Sequence, residues 1–187
     1  LYDWNQRYVH ILESFFFPPD IPARPNFTPK SEAKWASLGA WLPLFSMTGV
    51  IGFLRMRKSH WLKKVLGILF FMAFVPILNS AFQLFNASYY ARWFYMLTLM
   101  MSLATVISLD RECINWKSSI KWTLGITLGI ALPIGLMVQT TEQDGKEITT
   151  IGLEEYPTRF WTYVAIALLS LTLLTIIFKF YKRDKKL

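Results

Sequence analysis

The stretch FWTYVAIALLSLTLLTIIF at residues 160–178 contains no Asp, Glu, Lys, Arg or His. A helix of about 20 apolar residues is long enough to cross the roughly 30 Å of hydrocarbon in a bilayer. Four more charge-free blocks of similar length precede it, at residues 36–54, 65–85, 93–109 and 122–138. An open sheet cannot satisfy its backbone polar groups in lipid. We therefore predict an all-α fold, a polytopic membrane helix bundle with five transmembrane helices.

The composition agrees with a membrane protein. The 187 residues are 53% hydrophobic and 17% charged, and their mean hydropathy is +0.33. The single cysteine, Cys113, excludes an internal disulfide. The two histidines, His10 and His60, lie on opposite sides of the first predicted span, which argues against a histidine-based metal site. The sequence identifies no cofactor and gives no support for a divalent metal.

The basic residues predict the orientation of the chain. Segments 55–64, 110–121 and 179–187 hold 13 of the 20 Lys and Arg and a net charge of +10, whereas the remaining segments between spans carry −2. Under the positive-inside rule, the N-terminus is outside and the C-terminus is cytoplasmic. The net charge of +8 thus encodes orientation, so we expect the lipid bilayer as partner and no nucleic acid.

Residues 1–34 are predicted to lie outside the membrane. They begin with apolar residues at helical spacing and continue into the proline-rich stretch PPDIPARPNFTP at residues 18–29. We predict an amphipathic helix lying flat at the membrane interface, followed by an extended strap. The five-span domain then covers residues 35–187, with an outer loop at residues 139–159.

Four residues of this first outer segment have side chains suited to acid, base or phosphate-binding roles: His10, Glu13, Asp20 and Arg24. The alternative is structural. His10 and Glu13 are three residues apart on a helix and would pair on its solvent-facing side, while Asp20 would sit in a proline turn. We favour the structural explanation.

The stretch NSAFQLFNASYYARWFYM at residues 79–96 joins the second and third predicted spans. Asn79 and Gln83 are one helical turn apart, and Arg92 among its tyrosines begins the next span at the same depth. An arginine there is costly unless it meets an anion, and a lipid-linked phosphate matches its planar fork. In the alternative, Arg92 reaches a lipid headgroup while Asn79 forms an interhelical hydrogen bond. The residues alone leave both open.

The third outer segment, QTTEQDGKEITTIGLEEYPTR at residues 139–159, is polar and acidic. Its Asp144-Gly145 turn, between stretches containing Thr and Ile, predicts a small β-hairpin. Glu154 and Glu155, beside Tyr156, are conceivable ligands for a metal or for sugar hydroxyls. A solvated loop is the explanation that we favour.

Residues 79–96, together with FPPDIPARPNFTPKSEAKWASLGAWLPLFSMTGVIGF at residues 17–53, resemble the YfhO family of large bacterial membrane proteins. The resemblance covers roughly residues 8–110. It implies a GT-C-type glycosyltransferase in the bacterial cell membrane. Such an enzyme moves a sugar from a polyprenyl-phosphate carrier to an envelope polymer such as lipoteichoic acid on the outer face.

Members of that family are considerably longer than this chain, so the resemblance implies an internal or C-terminal fragment that is inactive alone. GT-C enzymes generally use a carboxylate in their first outer loop as base or metal ligand, and that loop would lie upstream of Leu1. The catalytic residue therefore stays unknown. The residues expected to bind substrate, through the carrier phosphate and lipid, are Arg92, Tyr90 and Asn79.

A second hypothesis is a non-catalytic membrane protein, either a lipid-carrier transporter or an assembly scaffold. Transporters tend to place polar groups near the bilayer midplane and to have related halves. The charge-free interiors of the predicted spans, and their odd number, argue against a complete transporter.

Overall fold

The computed structural model describes residues 5–20, 39–75, 93–111, 114–143, 146–152 and 156–184, together with residues 78, 81, 84 and 154. These residues form six helices and one two-stranded hairpin. In chain order the elements are α1 (Asn5–Phe16), α2 (Thr48–Arg55), α3 (Trp61–Phe74), α4 (Phe94–Asp110), α5 (Trp116–Leu136), β1 (Val138–Gln143), β2 (Lys146–Ile151) and α6 (Pro157–Asp184).

The last two helices correspond to the fourth and fifth predicted spans: α5 covers the fourth except for residues 137–138, and α6 contains the whole of the fifth. Helix α5 has 21 residues and begins at an Asn115 cap, whose Oδ1 accepts a hydrogen bond from the Ser118 N–H at 3.0 Å. Helix α6 has 28 residues. Both are long and apolar enough to cross a membrane. Helix α4 has 17 residues and matches the third predicted span. It is shorter than α5 and α6.

Among the described residues of the first predicted span, 39–54, only residues 48–54 are helical. Helix α2 has eight residues, which is about 12 Å and too short to cross a bilayer. The residues before it form turns, in which Leu44 (φ 66°) and Ser46 (φ 47°) have left-handed backbone conformations. The prediction of a continuous helix over residues 36–54 is therefore wrong for residues 39–47.

The second predicted span is also interrupted. Helix α3 ends at Phe74, and its C-cap Val75 is extended, with φ −98° and ψ 111°. A residue that precedes proline is pushed out of the helical region, and Pro76 follows directly. The sequence therefore ends α3 here. Five spans and the orientation of the termini stay predictions.

Small and hydroxyl side chains hold α2 against α4 and α5. A Cβ on Gly49 would lie only 2.4 Å from the Thr105 side chain, so glycine permits the close approach of α2 and α4. Ser108 Oγ donates to the Gly49 carbonyl at 2.9 Å, and Thr48 Oγ1 donates to Thr123 Oγ1 at 3.1 Å. Close packing through small residues and hydroxyls is typical of helices that associate in membranes.

The connection between α5 and α6 is the predicted hairpin. Strands β1 and β2 pair antiparallel from Val138↔Ile151 to Gln143↔Lys146, which confirms the predicted β-hairpin. At the base, the Gly152 N–H donates to the Met137 carbonyl at 2.8 Å. The hairpin thus stands at the end of the assembly where α5 ends and α6 begins.

Helix α1 lies across the same end. The Phe15 ring is 5.4 Å from that of Phe70 on α3 and 6.3 Å from that of Phe94 on α4, measured between centroids. Just after α1, the Phe17 ring is 5.9 Å from that of Phe160 on α6. Helix α1 is amphipathic, and its apolar residues Ile11, Phe15 and Phe16 are buried against the rest of the protein. Its placement at a membrane interface stays a prediction.

Candidate functional site

Three carboxylates from distant parts of the chain meet where α1 crosses the helix ends. Glu13 belongs to α1, Asp20 follows it, and Glu154 lies between β2 and α6. Glu13 and Glu154 are buried, at 6% and 7% exposed. The negative charges of Glu154 and Asp20 both act on Glu13. We call these three residues the carboxylate cluster.

Asp20 is held by two residues of the first turns of α6. Its Oδ1 lies 3.3 Å from Arg159 Nε and accepts a hydrogen bond from Tyr163 Oη at 3.1 Å. Arg159 and Tyr163 are four residues apart, so they share one side of the helix. The Arg159 guanidinium also lies 4.4 Å from the centroid of the Tyr156 ring. One carboxylate of the cluster therefore has a fixed position and a nearby positive charge.

Glu154 is positioned by the turn that leaves the hairpin. Gly152 has φ +100°, a backbone conformation that residues other than glycine rarely adopt. A Cβ at Gly152 would lie 3.0 Å from the carboxyl carbon of Glu154, so this carboxylate packs directly over the glycine backbone. Glycine at this position both forms the turn and leaves room for the acid.

Glu13 is the most unusual member of the cluster. Its Oε1 is buried and has no hydrogen-bond partner among the described residues. Burial raises the pKa of this carboxyl well above its usual range, and the charges of Glu154 and Asp20 raise it further. A carboxyl with a raised pKa can hold or release a proton closer to neutral pH than an ordinary glutamate.

The cluster therefore combines a proton-binding carboxyl, two further carboxylates and a guanidinium. Carboxylates accept hydrogen bonds from hydroxyl groups, and a carboxyl whose pKa lies near the working pH serves as a general acid or base. Among the described residues, no group of three or more His, Cys, Asp or Glu side chains is arranged to hold a metal ion.

The structure overturns two expectations about this region. His10, also 6% exposed, and Glu13 are buried, so the interpretation that they pair on the solvent-facing side of α1 is wrong. The amphipathic pattern assigned these polar residues to solvent, whereas the fold buries both side chains. Likewise Glu154 is buried, although a solvated loop was favoured.

The predicted substrate-binding residues Arg92, Tyr90 and Asn79 lie outside the described residues, as do Arg24 and Glu155. Sequence reasoning did not select Arg159 or Tyr163. Their one signal was a helical i, i+4 spacing at the start of a predicted span.

Comparison of the chain with protein-family models, curated proteins and solved structures gives no match.

Proposed function

We propose that this chain is part of a membrane glycosyltransferase. It would move a sugar from a polyprenyl-phosphate carrier to an envelope polymer, such as lipoteichoic acid, on the outer face of a bacterial membrane. The observation that carries the proposal is the buried Glu13 carboxyl beside Glu154 and the Asp20–Arg159 pair. The resemblance of residues 8–110 to the YfhO family supports the class of enzyme, but we assign the base to Glu13 and not to the carboxylate of the first outer loop that the resemblance implies.

The chemistry of sugar transfer needs a proton acceptor. The acceptor hydroxyl forms a new bond to the anomeric carbon as the bond from that carbon to the phosphate oxygen of the carrier breaks. Glu13 takes the hydroxyl proton, because its raised pKa makes it a stronger base than an ordinary glutamate. Asp20, fixed by Arg159 and Tyr163, accepts a hydrogen bond from a sugar hydroxyl and orients it.

The carrier phosphate is assigned to other residues. Arg92 binds the phosphate through its planar guanidinium, and Tyr90 and Asn79 contact the carrier beside it. Negative charge develops on the phosphate as it leaves, so the arginine stabilises the transition state more than the ground state. This assignment rests on the chemistry of the residues in the stretch at 79–96.

The membrane placement is part of the same proposal, with five spans, an external N-terminus and a cytoplasmic C-terminus. Helices α5 and α6, both long and apolar enough to span, support it. Large apolar side chains of α6 also face outward, with Leu169 68% and Leu173 51% exposed. Contiguous exposed apolar surface of this kind suits contact with lipid.

The test uses the full-length protein in cells. Glu13→Gln and Arg92→Ala should each sharply reduce envelope glycosylation while membrane abundance stays unchanged. Asp110→Asn is the matched control, because it removes a carboxylate charge from an exposed position at the C-terminal end of α4, away from the carboxylate cluster. Normal glycosylation in the Glu13→Gln cells would contradict the catalytic role.

A lipid-carrier transporter is the second candidate, and the same glutamate favours it. Protonatable carboxyls shielded from water are used by membrane transporters to couple substrate movement to protons. In that case Glu13→Gln would abolish movement of the carrier driven by a pH gradient and would leave sugar transfer intact. Measuring both activities in proteoliposomes separates the two candidates.

A further inference from the structure

A cavity of about 170 Å³ opens at the N-terminal end of α5, where α2 ends and α5 begins. Its polar lining comes from Arg55, Asn115, Ser118 and Ser119, and none of the described residues that line it is acidic. Because about 10–15 Å³ of such space is enough for one water, this cavity has room for a small oxyanion with several waters.

Arg55 is held across the cavity in a fixed position. Its Nη1 donates to Ser118 Oγ at 2.8 Å, and its Cζ lies 5.6 Å from the centroid of the Trp122 ring. These contacts tie the end of α2 to the first turns of α5. A guanidinium has five N–H donors in a planar fork, and Ser118 takes up one of them. The remaining donors match the paired oxygens of a phosphate group.

The surroundings of the cavity are basic. The two connections at this end, at residues 55–64 and 110–121, carry eight of the Lys and Arg residues and two acids. Trp122, near the start of the candidate span, is 56% exposed, as expected for an indole at a membrane interface. In a chain whose α5 spans the bilayer, the cavity therefore lies at the depth of the lipid phosphates.

We propose that this cavity binds a phosphate group, presented by a lipid headgroup or free in solution. The site is separate from the carboxylate cluster at the outer end, and it does not depend on the glycosyltransferase proposal. Arg55 is its main ligand, and Asn115, Ser118 and Ser119 supply further polar groups. A bound lipid would fix α2 to α5 on the cytoplasmic side.

The test measures lipid binding to the whole chain in detergent by native mass spectrometry. The probes are phosphatidic acid and diacylglycerol, which differ only in the phosphate. We expect a preference for phosphatidic acid that falls about tenfold in Arg55→Gln, since one charge-assisted bidentate contact is lost. Arg55→Lys, which keeps the charge but not the fork, should retain part of the preference.

Lys64→Gln is the matched control, because it removes one positive charge from an exposed position on α3 that does not line the cavity. It should change the preference less than twofold. Displacement of the lipid by millimolar inorganic phosphate would identify a free anion as the ligand, and no displacement would identify the headgroup. Equal binding of both lipids, or equal losses in Arg55→Gln and Lys64→Gln, would overturn the proposal.

Discussion

Replacing Glu13 by glutamine should make the protein more stable, and the gain should depend on pH. The native protein holds a proton on Glu13 more tightly than the unfolded chain does, because burial and two nearby carboxylates raise its pKa. The free energy of unfolding therefore falls as pH rises from the ordinary glutamate pKa, about 4.3, to the raised pKa of the folded state. Glutamine is neutral at every pH, so Glu13→Gln removes this loss of stability at higher pH.

The size of the gain follows from the burial of Glu13. A shift of one pKa unit corresponds to about 1.4 kcal/mol between the two protonation states, and burial raises the pKa of Glu13 well above its ordinary value. Glu13→Gln should therefore raise the free energy of unfolding by about 1–3 kcal/mol at pH values above the raised pKa. The gain should be close to zero at pH values where Glu13 is protonated in both states.

The assay is thermal unfolding in detergent between pH 4 and pH 9, with about 2–4 °C of melting temperature expected per kcal/mol in a chain of this size. Asp110→Asn, at an exposed position, should leave the pH dependence of the wild type intact. A Glu13→Gln protein that is less stable than the wild type at every pH would refute the reasoning. It would mean that the carboxylate has a stabilising partner.

Two other predictions test the packing and the topology. Gly49→Ala should destabilise the protein by about 1–3 kcal/mol in thermal unfolding, because its Cβ would overlap Thr105. Gly67→Ala is the control and should be neutral or slightly stabilising, because the space around Gly67 is open. Equal effects would contradict the close contact of α2 with α4. In a cysteine-free background, Thr149→Cys should react with an impermeant thiol reagent in intact cells, and Ser59→Cys should react only after permeabilisation. The reverse pattern would contradict the proposed orientation.

The three C-terminal helices could be predicted because each coincides with a long block of sequence that contains no charged residue. Residues 93–109, 122–138 and 160–178 lie almost entirely within α4, α5 and α6. Each block lacks the residues that break a helix, or has its proline close to the end, as at Pro133 in α5. Hydropathy and helix formation therefore agree over these segments.

The first two blocks were less predictable because hydropathy does not report backbone conformation. Residues 39–47 are apolar, yet Leu44 and Ser46 have positive φ, and the helix starts only at Thr48. In the second block, α3 ends at Phe74, and the extended Val75 directly precedes Pro76, an interruption that hydropathy does not report.

The candidate site was visible in the sequence only as separate residues. Glu13, Asp20 and Glu154 were each noted for their chemistry, but their assembly depends on contacts between distant parts of the chain. Tyr163 donates to a carboxylate that lies 143 residues earlier. Neither periodicity nor spacing reports such a contact. The structural explanation for Glu13 failed because the helical pattern could not show that tertiary contacts bury this side of α1.

The most direct test of the central claim is the pH dependence of sugar transfer by the full-length protein in proteoliposomes, with a polyprenyl-phosphate sugar as donor. If Glu13 is the base, the wild-type rate should rise with pH through the raised pKa of this carboxyl. Glu13→Gln should then be slower by about 100-fold or more, without that rise. Transfer by Glu13→Gln at the wild-type rate, with the wild-type pH profile, would contradict the account.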